Sequence, residues 1–171
     1  MHDVRMTELA CLLTGHSTTI EPGEHLFIEA FDVPDTMVIE LIKACRDRGG
    51  HPHVAVRSNR VMRALIESGA DVQIEAMAGH DLHRMKGMDA YIGLRGGFNV
   101  NEMSGVPEDR MKAWGSLYMK PVHLQQRVNQ TRWCVLRWPT PSMAQLAGTS
   151  TEAFENFYFD VCTLDYEAMA G

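Results

Sequence analysis

The sequence predicts an α/β fold, in which a mainly parallel sheet of four to five strands carries helices on both faces in a Rossmann-like three-layer arrangement. Short apolar runs alternate with amphipathic segments along the chain, which is typical of βαβ units. The first apolar run lacks polar alternation, as expected for a strand covered on both faces. A length of 171 residues suits one domain, so we interpret residues 1–171 as a single α/β domain.

Four apolar runs are predicted to be strands, and turn-forming residues separate them from the helices. The first follows the turn signal Glu21-Pro22-Gly23, and the last is stopped by Trp138-Pro139. The predicted strands are residues 25–30, 53–56, 89–94 and 132–137.

Helical spacing of apolar residues predicts the first-half helices. Met6, Leu9 and Leu13 form the stripe of a first helix, which Gly15 can end. Asp35 is the predicted N-cap of the second helix, whose apolar stripe stops before Gly49-Gly50. A short helix closes at Gly69, and residues 71–86 carry a weaker helical pattern with Gly79 inside it.

Helix-start signals place the second-half helices. Pro107 is expected at the first helical position, and Pro121 should kink or split that helix. Thr140 should cap a small helix that starts at Pro141. A capping-box spacing of Thr149 and Glu152 predicts the last helix, which should continue to the final residue, Gly171.

Charge and composition narrow the classes of partner. The chain has 16 Lys+Arg against 22 Asp+Glu, a formal charge of −6, which argues against nucleic acid and anionic membranes as partners. No apolar stretch is long enough to span a bilayer, and the start lacks the pattern of a secretion signal. The four widely spaced cysteines, Cys11, Cys45, Cys134 and Cys162, are expected to be reduced core thiols in a cytoplasmic protein.

A ligand crevice is expected at the carboxyl ends of the parallel strands, where the connecting loops diverge. Guanidinium groups there could accept a phosphate or carboxylate, although ordinary surface arginines explain the same residues. No glycine-rich nucleotide motif is present. The residues of this possible crevice are Arg57, Arg60, Arg95, Asn99 and Thr140.

No catalytic, cofactor-binding or metal-binding residue is assigned from local motifs. His51 and His53 are spaced to share a strand face, and His80 and His83 to share a helix face. Neither pair has an obvious third ligand nearby, so surface histidines are the favoured interpretation. Neither an H-E-x-x-H nor a G-x-S-x-G motif occurs.

Several segments together resemble the amino-terminal domain of the aminopeptidase T-like metalloaminopeptidases, the thermophilic-type family that includes aminopeptidase S. The most specific segment is P-T-P-x-x-A-Q-x-A-G at residues 139–148. Residues 20–24 and 49–54 are similar to the family's first two strands, and residues 152–162 to its following helix. The resemblance covers essentially the whole chain.

The resemblance implies a two-domain homodimeric enzyme that removes N-terminal residues from peptides with two divalent metal ions of the zinc, cobalt or manganese type. The family's ligands lie in a C-terminal catalytic domain, and nothing in this sequence matches their motifs. We therefore expect the amino-terminal portion of a longer enzyme of this kind, or a shortened relative of one. It should be inactive alone and contribute to the substrate cavity and the dimer scaffold. Two alternatives stay open: a non-catalytic module for a small anion or a protein, and a fragment of a related metal-dependent ring-cleaving dioxygenase.

Overall fold

Four parallel strands form the central sheet of the computed structural model, which describes residues 3–164. The strand order is β2-β1-β3-β4. The strands are β1 (His25–Phe31), β2 (His51–Arg57), β3 (Ala90–Arg95) and β4 (Arg132–Arg137). The predicted α/β class and parallel sheet are confirmed, with four strands among the described residues.

Burial separates the two central strands from the two edge strands. β1 is buried from Leu26 to Ala30 and β3 from Ala90 to Leu94, because helices cover both faces of the sheet there. On the edges, Val56 of β2 and Trp133 of β4 remain exposed. The continuous apolar runs in the sequence therefore mark the centre of the sheet.

Eight α-helices and two π-helical segments connect the strands in residues 3–164. The α-helices are α1 (Val4–Leu12), α2 (Asp35–Asp47), α3 (Asn59–Ser68), α4 (Asp71–Lys86), α5 (Glu108–Trp114), α6 (Val128–Gln130), α7 (Pro141–Leu146) and α8 (Thr151–Cys162). The π-helical segments are Leu13–Ser17 and Gly115–Arg127.

Two apolar cores lie on opposite faces of the sheet. On one face, Leu26 and Ile28 of β1 pack with residues of α1, α2 and α8, including Leu9, Leu41 and Phe159. On the other, Phe27 and Tyr91 pack with residues of α4 and the Gly115–Arg127 segment, including Ile74, Met85 and Val122. Side chains along β1 and β3 point alternately to the two faces of the sheet, so each strand contributes residues to both cores. The sheet with helices on both faces forms the expected three layers.

Three predicted helix starts differ from the structure by one residue. Pro34, rather than Asp35, is the N-cap of α2, so Asp35 lies in the first turn. Pro107 is the N-cap of α5 and not its first residue. Ser150 caps α8 by accepting a hydrogen bond from the Ala153 amide, where Thr149 was predicted. Pro34 and Pro107 form no side-chain cap hydrogen bond, so of these three starts only that of α8 is capped by a side chain that satisfies a free backbone amide.

Pro121 neither splits nor ends its helix. It lies inside the Gly115–Arg127 π-helical segment, which joins α5 to α6 without a break. Proline has no amide hydrogen and clashes with the carbonyl one α-helical turn earlier, and the wider π turn accommodates it. Gly15 likewise lies within the Leu13–Ser17 π turn and does not end the first helix.

The cysteines are unpaired, but not all of them lie in the core. Cys45 is buried, Cys134 and Cys162 are partly buried, and Cys11 is exposed. The prediction of a core position is therefore wrong for Cys11, because this residue lies on the outer side of α1. Residues 165–171, where the last helix was expected to continue, lie outside the described residues.

Candidate functional site

Three of the four strands end with an arginine at the same level of the sheet. Phe31 of β1 pairs in register with Arg57 of β2 and with Arg95 of β3, and Arg95 pairs with Arg137 of β4. Residues paired in register on parallel strands point to the same face. Three guanidinium groups therefore line one face of the sheet at its carboxyl end.

The buried carboxylate of Glu29 forms ion pairs with two of these three guanidinium groups. Its Oε1 accepts a hydrogen bond from Arg57 Nε at 2.8 Å, and its Oε2 accepts one from Arg95 Nη2 at 2.8 Å. The Tyr91 hydroxyl donates a third hydrogen bond to Oε2 at 2.6 Å. With its side chain only 2% exposed, Glu29 is a charge that needs these partners to remain buried.

Helix α4 and the π-helical segment extend this network. Asp81 of α4 accepts hydrogen bonds from Arg57 Nη2 at 2.7 Å and from the Tyr118 hydroxyl at 2.5 Å. Trp114 stacks on the ring of Tyr118 with centroids 4.0 Å apart, which fixes the position of the phenol. The network therefore joins the sheet to both elements that cover this face.

The environment of the network shifts several pKa values. Burial raises the pKa of the Glu29 carboxyl, but the charge of Arg95 and the hydrogen bond from Tyr91 outweigh it, so the net shift is downward. Burial, together with the neighbouring arginines, lowers the pKa of His123 to about 4. Glu29 is thus held ionised, and His123 is held neutral near pH 7.

Beside this network, a cavity of about 420 Å³ opens at the carboxyl edge of the sheet. Its size falls within the range of roughly 300–1,000 Å³ that small-molecule sites have. The lining mixes polar and charged groups with methionine and valine side chains. The residues that line it are Asn59, Arg95, Gly96, Gly97, Asn99, Val100, Glu102, Met103, Val135, Arg137, Thr140, Ser142 and Met143.

The structure brings together three of the five predicted crevice residues. Arg95, Asn99 and Thr140 line the 420 Å³ cavity. Arg57 lines a different cavity, together with Asp32, and its guanidinium is engaged with Glu29 and Asp81. Arg60 is exposed on α3.

Asn59, at the start of α3, joins the loops that follow β1 and β3 and closes the crevice between these two strands, where the strand order changes direction. Asp32 Oδ2 accepts hydrogen bonds from the Asn59 amide nitrogen at 3.1 Å and from Asn59 Nδ2 at 2.7 Å. Asn59 Nδ2 also donates to the Gly96 carbonyl at 3.0 Å. A Cβ on Gly96 would lie 2.4 Å from the Asp32 oxygen, so only glycine allows this approach. The open cavity consequently lies farther along, between β3 and β4.

Sequence reasoning missed Glu29, Glu102, Arg137 and Asn59. One available signal was Glu29 itself, a lone carboxylate inside an otherwise apolar run that was predicted to be buried. A second was the arginine at the end of three of the predicted strands. The strand register that aligns these arginines has no local signature.

The described residues do not provide a metal centre. His51 and His53 do share a strand face, and His25 of β1 joins them, with its Nδ1 2.8 Å from His53 Nε2. However, no group of three or more His, Cys, Asp or Glu side chains within residues 3–164 is arranged to hold a metal ion. The three histidines also lie at the amino end of the strands, opposite the cavity.

A comparison with protein families shows which family the chain belongs to. The model of the thermophilic metalloprotease family, M29, matches residues 2–170. The chain belongs to this family. Metal cofactors are therefore expected for M29 enzymes, whereas residues 3–164 of this M29 chain do not fit a metal site.

A comparison with solved structures shows the same fold in another protein. Wild-type AmpT from Thermus thermophilus superimposes with a TM-score of 0.71 at 12% sequence identity. The match covers 94% of this chain and 43% of AmpT, so the chain spans less than half the length of that structure. No curated protein matches the chain. Within the described residues, no helix has the length and apolar character that crossing a membrane requires.

Proposed function

We propose that this chain is the amino-terminal portion of a metal-dependent aminopeptidase that releases N-terminal amino acids from peptides. The observation that carries the proposal is the M29 family match over residues 2–170, which spans nearly the whole chain. The alignment to 43% of AmpT supports a portion rather than a whole enzyme. The family match also favours a peptidase over the dioxygenase alternative.

The chemistry of hydrolysis is assigned to the C-terminal catalytic domain that family members carry. In the complete enzyme, two divalent ions of the zinc, cobalt or manganese type would activate water and polarise the peptide carbonyl. Because residues 3–164 offer no group that could hold them, no hydrolytic step is assigned to these side chains. We therefore propose that the chain is inactive alone.

The role proposed for this portion is to form one wall of the substrate cavity and part of a homodimer scaffold. The 420 Å³ cavity at the carboxyl edge of the sheet supports the first role. Exposed apolar side chains on α8, including Phe157 at 62% exposure, support the second. The four unpaired cysteines are consistent with the proposed cytoplasmic location.

A peptidase assay tests the proposal. The 171-residue chain is incubated with leucine p-nitroanilide and added Zn²⁺, Co²⁺ or Mn²⁺, beside a full-length family member as positive control. We expect release of p-nitroaniline by the control alone. Turnover that co-purifies with the 171-residue chain and depends on added metal would contradict the proposal.

A further inference from the structure

The cavity between β3 and β4 is lined by one cation and one anion that have no side-chain partner within residues 3–164. Arg137 is exposed and Glu102 is half-buried, and both line the cavity. Among the side chains of residues 3–164, none forms a hydrogen bond or ion pair with the Arg137 guanidinium or the Glu102 carboxylate. Charged groups that line a cavity without mutual pairing are available to a ligand.

The position of Arg137 on the sheet explains why no described side chain pairs with it. It is the edge member of the row of strand-end arginines, and Glu29 and Asp81 engage only the other two. Arg95 is turned toward Glu29, with Nη1 also donating to the Glu29 carbonyl at 3.1 Å. The cavity consequently receives its positive charge mainly from Arg137.

Two asparagines add one donor and one acceptor. Asn59 Nδ2 donates to Asp32 and to the Gly96 carbonyl, which fixes the orientation of the amide and leaves its Oδ1 without a partner in the described chain. Asn99 Oδ1 accepts from the Asn101 amide at 3.0 Å, which leaves Asn99 Nδ2 as a donor. Arg137 and Asn99 are thus matched to a carboxylate, and Glu102 and Asn59 to an ammonium group.

We propose that this cavity binds a zwitterionic α-amino acid with an apolar side chain. The ligand carboxylate contacts Arg137 and Asn99, and its ammonium group contacts Glu102 and Asn59. The methionine and valine side chains, Met103, Met143, Val100 and Val135, surround the apolar part. A simple anion leaves Glu102 uncompensated, so both charges on the ligand contribute. This inference deepens the proposed function, because it concerns the same 420 Å³ cavity, but it describes binding by this chain alone and requires no metal.

Titration with L-leucine and two analogues tests the inference on the 171-residue chain by NMR. N-acetyl-L-leucine lacks the ammonium charge, and L-leucinamide lacks the carboxylate. We expect saturable L-leucine binding with shifts in the Gly96, Gly97 and Asn99 amide signals. Each analogue should bind about tenfold more weakly or worse, since it loses a charge-assisted hydrogen bond.

Two variants test which side chain contacts each charged group of the ligand. Arg137→Gln should remove the preference for L-leucine over L-leucinamide, and Glu102→Gln the preference over N-acetyl-L-leucine. Neither side chain has a partner in the part of the chain that the structure describes, so both variants should fold, which the thermal midpoint checks. The matched controls Arg46→Gln and Glu75→Gln change exposed residues outside the cavity and should bind L-leucine as the wild type does.

Three results would overturn the inference. One is the absence of saturable L-leucine binding. Another is equal or tighter binding of N-acetyl-L-leucine, which indicates a plain anion site. The third is unchanged affinity in folded Arg137→Gln and Glu102→Gln. None of these measurements involves hydrolysis, so their outcome is separate from that of the peptidase assay.

Discussion

At the scale of single residues, Glu29 is the buried charge on which one face of the sheet depends. It lies in the central strand and is contacted by Arg57, Arg95 and Tyr91. Removing one member of a buried ion pair leaves the other charges uncompensated, which is more costly than the pair is stabilising. The network therefore fixes how α4 and the π-helical segment pack on the sheet.

Replacing Glu29 tests this dependence. Glu29→Gln keeps the shape of the side chain but leaves Arg57 and Arg95 without a counter-charge, and should lower the free energy of unfolding by about 3 kcal/mol or more. Urea denaturation measures this. Glu75→Gln, on the exposed side of α4, is the control and should change stability by less than about 0.5 kcal/mol. Equal midpoints for the two variants would show that the network is not stabilising.

His123 predicts how stability depends on pH. Its pKa is about 4 in the folded chain, against an ordinary value of 6.5, so the unfolded chain binds this proton more readily between those values. The free energy of unfolding should therefore fall as the pH falls from about 6.5 to 4, by up to about 3 kcal/mol. The lowered pKa of Glu29 acts in the same direction at lower pH.

The variant His123→Gln isolates this contribution. Thermal midpoints measured from pH 4 to pH 7 should fall less steeply for His123→Gln than for the wild type. The exposed His80, replaced by glutamine, serves as the control and should retain the wild-type slope. A slope unchanged in His123→Gln would contradict the assignment of this pH dependence to His123.

At the scale of helices and strands, the sequence was informative wherever a continuous pattern existed. Apolar runs located β1 and β3 because both faces of these strands are buried. The pattern at residues 71–86 was weak, yet α4 spans Asp71–Lys86 without a break at Gly79. Three helix starts differ from the prediction by one residue, and at α2 and α5 the cap position is held by a proline that forms no side-chain cap hydrogen bond.

Two glycines with opposite environments provide a test at this scale. A Cβ at Gly79 would meet no atom within 4 Å, so Gly79→Ala should stabilise the protein by about 0.5–1 kcal/mol through helix propensity. A Cβ at Gly96 would lie 2.4 Å from the Asp32 carbonyl oxygen and 2.8 Å from that of Phe31. Gly96→Ala should destabilise it, because backbone atoms must move.

Thermal denaturation of both variants compares the two sites directly. The midpoint should rise for Gly79→Ala and fall for Gly96→Ala. A neutral effect of Gly96→Ala would contradict the close approach of the Gly96 backbone to Asp32 and Phe31.

At the scale of the whole molecule, the candidate site arises from pairings that no local pattern shows. Asn99 and Thr140 were predicted from their loops and do line the cavity, whereas Arg57 is drawn away by Glu29 and Asp81. Glu102 and Arg137 are 35 positions apart in the sequence and line the same cavity only because β3 and β4 are neighbours. Strand order and register, rather than spacing, determine which side chains lie together.

This M29 chain folds as an α/β unit, and residues 3–164 carry no group arranged to hold a metal ion. We test the claim that the chain lacks a metal centre by equilibrium dialysis of the folded 171-residue chain against Zn²⁺, Co²⁺ and Mn²⁺, followed by elemental analysis. We predict no stoichiometric retention of any of the three ions by a chain that shows a cooperative unfolding transition. Retention of two ions per folded chain would contradict the claim.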